Sequence, residues 1–539
     1  MSVEKSYIEL FPFNVIRDEQ KHAISFALDA FQQGKKFVVL EMGTGCGKSA
    51  TGVTIARALA SVGPSAAYIL TTQKILQQQY VNDFGQPQRK LLSSLKSSSN
   101  YCCGHYNDQS CAESRRVISK LRTQLVGTDF YKHCTTQCQY AIDKQQFLDS
   151  SIGITNFSYF LAETMYAGKI EPRDLLIIDE CHNIEAELGK FVEVTFSEKF
   201  ARDVLKCRVP TKSNDEVVFK WIKTTYLKAL KTHLARLEKT MSSQLAVRAG
   251  LSESSKQYEL LDKHICKVHR FINSYDSQNW VMNVVLQTNK SNRQTRRFEF
   301  KPIDVSPFSH DMLFRFGKHV LMMSATIVDI DVFCRTIGID RNDVAYLRLP
   351  SPFPVENRPI HFIPVGSMSK DRIESTLPAL TEAIKMLLEQ HAGDKGIIHC
   401  TNYRIAQHVF DSIKSDRLLI HSSENRDAIL AQHINNDRPT VLVSPSMMEG
   451  VDLADDASRF QIVCKVPFPY MGDLVVKKRM TRDRSWYDYM TAKSIIQAMG
   501  RSIRNDRDHA VSYILDADWE RFLSRNRNMF PSDFLKSLT

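Results

Sequence analysis

The chain has 539 residues, 43% hydrophobic and 24% charged, enough for several domains with their own cores, which excludes a disordered or fibrous polypeptide. No apolar run approaches the roughly 18 residues of a membrane span, and the opening MSVEKSYIELFPFN lacks the apolar core of a secretory signal, so no membrane association and a cytoplasmic location, or a nuclear one in a eukaryote, are expected. The formal net charge of +11 favours a polyanionic partner, and 12 cysteines in a reducing compartment need a role other than disulfides.

In chain order, Arg17 and Gln20 precede the amphipathic run HAISFALDAF. The Gln20 amide suits an adenine edge, and a solvated helix face would read the same. Next comes Phe37–Ser49, FVVLEMGTGCGKS: four apolar residues predict a short buried strand, and a glycine-rich turn opens the helical run TGVTIARALA. Gly43, Gly45 and Gly47, with Thr44 and Cys46 between them, let backbone N–H groups turn inward, and the helix adds its positive end, so the stretch suits a triphosphate. Lys48 is placed for the β- and γ-phosphates of ATP and Ser49 for Mg²⁺. Another buried strand, Ala66–Leu70, leads to Thr71 and Thr72, hydroxyls at the edge where an open α/β sheet can meet a nucleic-acid phosphate.

From Leu91 the chain turns serine-rich and then shows little apolar periodicity for some forty residues, so this segment needs a staple. Cys103, Cys111, Cys134 and Cys138 can supply one by holding a metal centre, with Cys102 to spare. Their spacing leaves two chemistries open: zinc, completed by His105 or His133, or an iron–sulfur cluster. The stretch DLLIIDECH (Asp174–His182) then reads as a buried strand ending in paired carboxylates. Asp179 is placed to share the Mg²⁺ with Ser49, Glu180 to orient and deprotonate an attacking water, and His182 to couple this edge to whatever lies across a cleft.

Residues 190–302 carry no chemical motif. Val217, Val218, Trp221, Ile222, Tyr226, Leu230, Leu234 and Leu237 recur at helical spacing, as do Leu260, Leu261, Ile265, Val268, Phe271 and Ile272, which predicts the core of a helical subdomain. Lys220, Lys223, Lys228, Lys231 and Arg236 form its polar face, suited equally to nucleic acid and to water. The second half repeats the α/β pattern in VLMMSAT (Val320–Thr326), GIIHCTNYRIAQHVF, TVLVSPSMMEGVDL and QIVCKVPFP. Finally QAMGRSIR sets Gln497, Arg501 and Arg504 three to four residues apart, on one face of a helix, the geometry for grasping phosphoryl oxygens across a cleft.

The ordered set EMGTGCGKS, TTQKILQQQ, DECH, MSAT, HCTNY, MMEGVDL and QAMGRSIR resembles the superfamily 2 DNA helicases of the XPD/DinG family over nearly the whole chain. NYCC falls where that family begins its cluster-binding cysteines, ITNFSYFL resembles the segment after its last cluster ligand, and the stretch from Trp280 to Asp304 resembles the return from its arch. The resemblance implies an α/β fold of two RecA-like P-loop motor domains, with a small cysteine-rich metal-cluster insert and a helical arch insert in the first. Motor domain 1 would occupy 1–90, 151–189 and 303–345, the iron–sulfur subdomain 91–150, the arch 190–302 and motor domain 2 346–539.

By the same resemblance Lys48 and Ser49 bind ATP and Mg²⁺, Asp179 and Glu180 serve metal and water, and Gln497, Arg501 and Arg504 act from the second motor domain. Glu449, Gly450 and Asp452 belong to the coupling motif. A [4Fe–4S] cluster falls to Cys111, Cys134, Cys138 and either Cys103, the DinG-like register, or Cys102, the XPD-like one. Met448 stands where the family usually has Trp, and Cys46 where it has Gly or a small hydroxyl. The implied activity is that of a monomeric, DNA-repair-type motor: ATP-driven 5′→3′ movement on single-stranded DNA and unwinding of forked or overhang duplexes. Two rival readings are an ATPase that remodels protein–nucleic acid complexes without unwinding and a binding scaffold with an inactive motor; intact Lys48, Asp179, Glu180, Arg501 and Arg504 argue against the second.

Overall fold

The computed structural model describes the chain except residues 1–6, 62–65, 73, 86–91, 107–108, 169, 246–249, 289–293, 446–452, 454, 501–502 and 504–507. The strands in chain order begin with β1 (Phe37–Met42), β2 (Ala67–Thr71), β3 (Leu92–Ser94), β4 (Ile152–Asn156) and β5 (Arg173–Asp179). Next come β6 (Val194–Ser197), β7 (Trp280–Thr288) and β8 (Gln294–Pro302), followed by β9 (Gly317–Ser324) and β10 (Val344–Leu349). The rest are β11 (Ile360–Gly366), β12 (Gly396–His399), β13 (Leu418–Ile420), β14 (Val441–Ser444), β15 (Phe460–Val463) and β16 (Val511–Asp516).

Seven strands make one sheet in the order β10-β1-β9-β5-β2-β4-β3, and six make a second in the order β11-β16-β15-β12-β14-β13. Every pair in both is parallel. Parallel sheets are covered by helices on both faces, which is why their central strands are continuous apolar runs. In β1, Phe37 and Val39 enter the core on one face, and Val38, Leu40 and Met42 enter the core on the other. The register aligns Glu41 with Ser324 and Asp179 with Met323, so the glycine-rich turn, the DECH turn and the SAT turn leave one edge side by side.

Some elements differ from the sequence expectation. Strand β10 carries the first sheet on to Leu349, past the expected boundary at 345. The insert at 190–302 is not only helical: β6, β8 and β7 form an antiparallel sheet at its base, and Phe196, Trp280, Phe298 and Phe300 join the core of the first domain. Leu260, expected in the apolar stripe, is exposed, while Val218, Trp221, Ile222, Tyr226, Leu230, Val268 and Phe271 are buried as expected.

The cysteine-rich stretch contains the helices Cys111–Lys120 and Gln139–Asp149. It is stapled partly from outside. Leu237, Met241, Leu251 and Tyr258, on the arch helices Leu227–Gln244 and Leu251–Ser274, pack with Cys103, Val117, Leu121, Leu125, Phe130 and Cys134 in one buried group. The Arg116–Asp262 ion pair (2.8 Å) and the Gln124–Ser242 hydrogen bond (2.8 Å) rim it. A segment too small to bury its own apolar face thus shares a core with the arch. Among the described residues no helix is long and apolar enough to cross a membrane.

Candidate active site

A cleft of about 1110 Å³ opens between the two sheets. The first domain lines it with the glycine-rich turn, Lys48, Ser49, Asp179, Glu180, His182 and Thr326; the second contributes Gln497, Arg358 and Asp533. The turn needs its glycines on two grounds. Gly45 and Gly47 have φ of +85° and +74°, in the left-handed region. A Cβ at Gly45 would stand 2.1 Å from the Phe353 ring, and one at Gly47 2.2 Å from the Gln20 amide nitrogen. Gln20 braces the turn: its side-chain oxygen accepts from the Arg17 N–H (3.0 Å), and the Arg17 guanidinium donates to the Gly45 carbonyl (2.6 Å). Cys46 is buried away from the cleft, its Sγ 3.5 Å from the Pro350 carbonyl, and burial raises its thiol pKa.

Asp179 is buried at the tip of β5. Its Oδ2 accepts from the Tyr80 hydroxyl (2.9 Å) and its Oδ1 from the Glu180 N–H (3.0 Å). Burial, and then the Glu180 anion beside it, push its pKa up to about 6 against the pull of Lys48. Ser49 lies near enough to act on the Tyr80 hydroxyl as well, so one phenol stands beside both residues expected to share Mg²⁺. Tyr80 was not singled out from sequence, where it is one more apolar position of a helix.

A chain of polar contacts leaves this edge for the second domain. His182 Nδ1 lies 3.2 Å from Glu180 Oε2 and 2.7 Å from Ser324 Oγ. Ser324 Oγ accepts from the Thr326 N–H (3.0 Å), and Thr326 Oγ1 accepts from the Gln497 amide (3.0 Å). Lys493 adds a bond to the His182 carbonyl (3.4 Å). The other amide atom of Gln497, Oε1, is buried and finds no donor among the described residues. The helix bearing Gln497, Arg484–Met499, stops just beyond it. Arg501, Arg504, Glu449, Gly450 and Asp452 lie outside the described residues.

Glu41 is a second residue the sequence reading passed over. Only 3% exposed, it accepts the N–H groups of Ile327 (2.9 Å) and Val328 (3.0 Å) on Oε1, and the Tyr346 hydroxyl and Arg348 guanidinium on Oε2. Val328 is held at φ +68°, a strained setting for a β-branched residue, directly after the SAT turn. The available signal was a carboxylate interrupting the apolar run FVVLEM.

Burying an anion at Asp179 has a testable consequence. A carboxyl held at about 6, against about 4 in an unfolded chain, binds its proton more tightly in the folded state. Its contribution to stability therefore falls as pH rises through that window, and above it the buried anion is a standing cost. Asp179→Asn should raise the melting temperature of the nucleotide-free chain near neutral pH while abolishing Mg²⁺-dependent ATP hydrolysis. A variant that melts lower than the parent across the pH range would show that the bonds to Tyr80 and Glu180 outweigh the burial cost.

Cys103, Cys111, Cys134 and Cys138 are all buried, and Cys102 is exposed. An isolated bridge between Cys102 and Ser110 fixes the strand there, and neighbours in an extended strand face opposite ways, so Cys103 turns inward. Cys111 Sγ lies 3.3 Å from Cys138 Sγ. The Cys134 thiol is pushed up to about 12 by burial first and then by Cys103 and Cys138. The Tyr106 N–H points at Cys103 Sγ (3.3 Å), and the Arg115 guanidinium acts on Cys111 and Cys134 in the direction that favours thiolates. Among the described residues no three His, Cys, Asp or Glu groups meet closely enough to hold a single metal ion. Four buried sulfurs with an N–H and a guanidinium beside them fit a thiolate-bound group such as an iron–sulfur cluster.

Comparison with known proteins agrees with this layout. A helicase C-terminal domain matches residues 384–537, and the res subunit of type III restriction enzymes matches residues 14–209. The chain is 22% identical to the ATP-dependent DNA helicase YoaA of Haemophilus influenzae, over 96% of this chain and 92% of that one. It is 25% identical to the ATP-dependent DNA helicase DinG of Photobacterium profundum, over 43% of this chain and 36% of that one. Among solved structures, an XPD helicase superposes with a TM-score of 0.63 at 16% identity, covering 96% of this chain and 98% of that one. Xpd4 of S. tokodaii superposes with a TM-score of 0.58 at 14% identity, covering 97% and 99%. With the motifs in order, two RecA-like domains in place and these relatives at both the sequence and the fold level, the chain is similar throughout to the superfamily 2 helicases of the XPD/DinG family.

Proposed function

We propose that the chain is an ATP-dependent DNA helicase: a motor that moves on single-stranded DNA, with the family's 5′→3′ polarity, and opens forked or overhang duplexes as a monomer. The observation that carries this reading is the unbroken polar path from Glu180 through His182, Ser324 and Thr326 to Gln497, which joins the phosphate edge of one domain to the other. The names of the relatives and the net charge of +11 support DNA as the track.

In this reading the backbone of Gly43–Gly47 and the Lys48 ammonium cradle the triphosphate, and Ser49 and Asp179 hold Mg²⁺. When bound, the ion would supply charge neutralisation to the triphosphate. Glu180 orients the attacking water and takes its proton, with His182 fixing the carboxylate from behind. The unpaired Oε1 of Gln497 gives that water a second acceptor, and Arg501 and Arg504 neutralise charge developing on the γ-phosphoryl oxygens. Cys103, Cys111, Cys134 and Cys138 hold a [4Fe–4S] cluster, which when bound cross-links the segment the arch helices cover. A reducing cytoplasmic or nuclear compartment suits these thiols.

The deciding experiment is ATP hydrolysis with and without single-stranded DNA, followed by strand separation on substrates with either overhang. Stimulated hydrolysis and unwinding from a 5′ overhang are expected; hydrolysis indifferent to DNA would overturn the reading. Affinity for single-stranded DNA should fall linearly with salt on logarithmic axes, with a slope of about −0.7 per phosphate contacted, and differ little between sequences. A salt-insensitive affinity would point to another partner.

A further inference from the structure

The second domain also grips the first outside the nucleotide cleft: Arg482 donates to the Gln278 carbonyl, Arg335 of the first domain meets Ser485 and Asp483, and one cation of this contact is buried. Arg479, on the helix Leu474–Arg482, is 6% exposed. Its Nη1 donates to the Ile303 carbonyl (2.9 Å) and lies 3.1 Å from Asp304 Oδ1; its Nη2 is 3.4 Å from Glu185 Oε1. The guanidinium lies over the Trp486 ring, 5.3 Å from its centroid, and Trp486 Nε1 donates to both oxygens of Glu185 at 3.1 Å.

The partners come from two places that matter to a motor. Glu185 stands on the helix Ile184–Val192, which rises directly from the DECH turn. Ile303 and Asp304 are the root of the arch, where β8 returns to the first domain. Asn279, where the chain comes back from the arch helices into β7, is bound to them: its side chain accepts from the Asp304 N–H (3.0 Å) and donates to the Asp304 carbonyl (2.9 Å). A cation that leaves water is held only while its partners surround it, so this contact specifies one docking geometry rather than a range.

One helix links this grip to the cleft. Arg484–Met499 carries Trp486 near its start, on Glu185, and Gln497 near its end, on Thr326. Eleven residues of helix separate the two by about 16 Å of rigid rod. Movement of the second domain at the cleft therefore moves Trp486 and the Arg479 site with it. We infer that Arg479 is a positioning residue that transmits movement of the second motor domain to the root of the arch and, through the core the arch shares with the cysteine-rich segment, to that segment. This rests on the helicase reading above and adds the route by which movement at the cleft reaches that segment.

The test compares DNA-stimulated hydrolysis with base pairs opened per ATP on one forked substrate. Removing the cation alone would strand the Glu185 carboxylate, so the first variant is Arg479→Met with Glu185→Gln, which leaves the more exposed Asp304 to water; the second is Arg479→Lys, which keeps the charge without the fork. For the double variant, hydrolysis should stay within about threefold of the parent while base pairs opened per ATP fall about tenfold. Arg479→Lys should fall between the two. The inference is overturned if base pairs opened per ATP are unchanged in Arg479→Lys at an unchanged melting temperature, or if hydrolysis and unwinding fall in equal proportion in both variants, as a merely structural contact would make them. A parent chain whose hydrolysis ignores DNA would instead overturn the helicase reading, before either variant is compared.

Discussion

Lys48→Ala should abolish DNA-stimulated ATP hydrolysis and leave the nucleotide-free fold standing. Lys48 opens the helix Lys48–Ser61 and faces the cleft beside Ser49, Asp179 and Glu180. Of these four it alone is a cation, and its field already acts on Asp179, opposing the upward push from burial and from Glu180. In the reaction it meets charge that grows on the β- and γ-phosphate oxygens, so its loss weakens the transition state more than the ground state. A drop of about a hundred- to a thousandfold in turnover is the scale for removing one such donor. The side chain is not part of either core of the first sheet, so the melting temperature without nucleotide should hold or rise slightly. Full hydrolysis by a variant that melts with the parent would remove the ATP site from this cleft.

What sequence alone revealed follows how locally each feature is determined. Strands β1, β2, β5 and β9 sit inside the first sheet, covered on both faces, and so appear as apolar runs. Strands β10 and β11 lie at sheet edges, where half-exposed positions such as Tyr346, Arg348 and His361 break the run, and they were not anticipated. The glycine-rich turn and the DECH pair are contiguous and therefore legible. Glu41 and Tyr80 are not, because their functions lie in bonds to Val328 and Asp179, 287 and 99 positions away. The arch sheet was hidden by strands such as QTRRFEFKP, whose inward residues Phe298 and Phe300 meet Phe196 and Phe271 only when the chain returns from the helices. The choice between Cys102 and Cys103, open on spacing, turns on which face of one short bridge points inward.

Each of Cys103→Ser, Cys111→Ser, Cys134→Ser and Cys138→Ser should lower bound iron from about four atoms per chain, with loss of visible absorbance, and impair unwinding. Cys102→Ser should not, because its side chain is exposed on the opposite face from Cys103. Cys46, Cys207 and Cys266 likewise should be dispensable for iron. The four ligands should differ in their second effect. Cys111 and Cys138 pack with Tyr140, Phe147 and Phe157 in the core of the first motor domain, whereas Cys103 and Cys134 pack with Leu237, Met241 and Leu251 of the arch. Loss at Cys111 or Cys138 should therefore lower the melting temperature of the motor domain. Loss at Cys103 or Cys134 should chiefly free the arch, seen as faster proteolysis of the helices Leu227–Gln244 and Leu251–Ser274. DNA-independent ATP hydrolysis should persist in the latter pair, because the glycine-rich turn folds on its own sheet. Anaerobic purification of each variant with metal analysis decides the assignment: zinc in place of iron would sink the iron–sulfur cluster, and iron lost at Cys102 but kept at Cys103 would reverse the register.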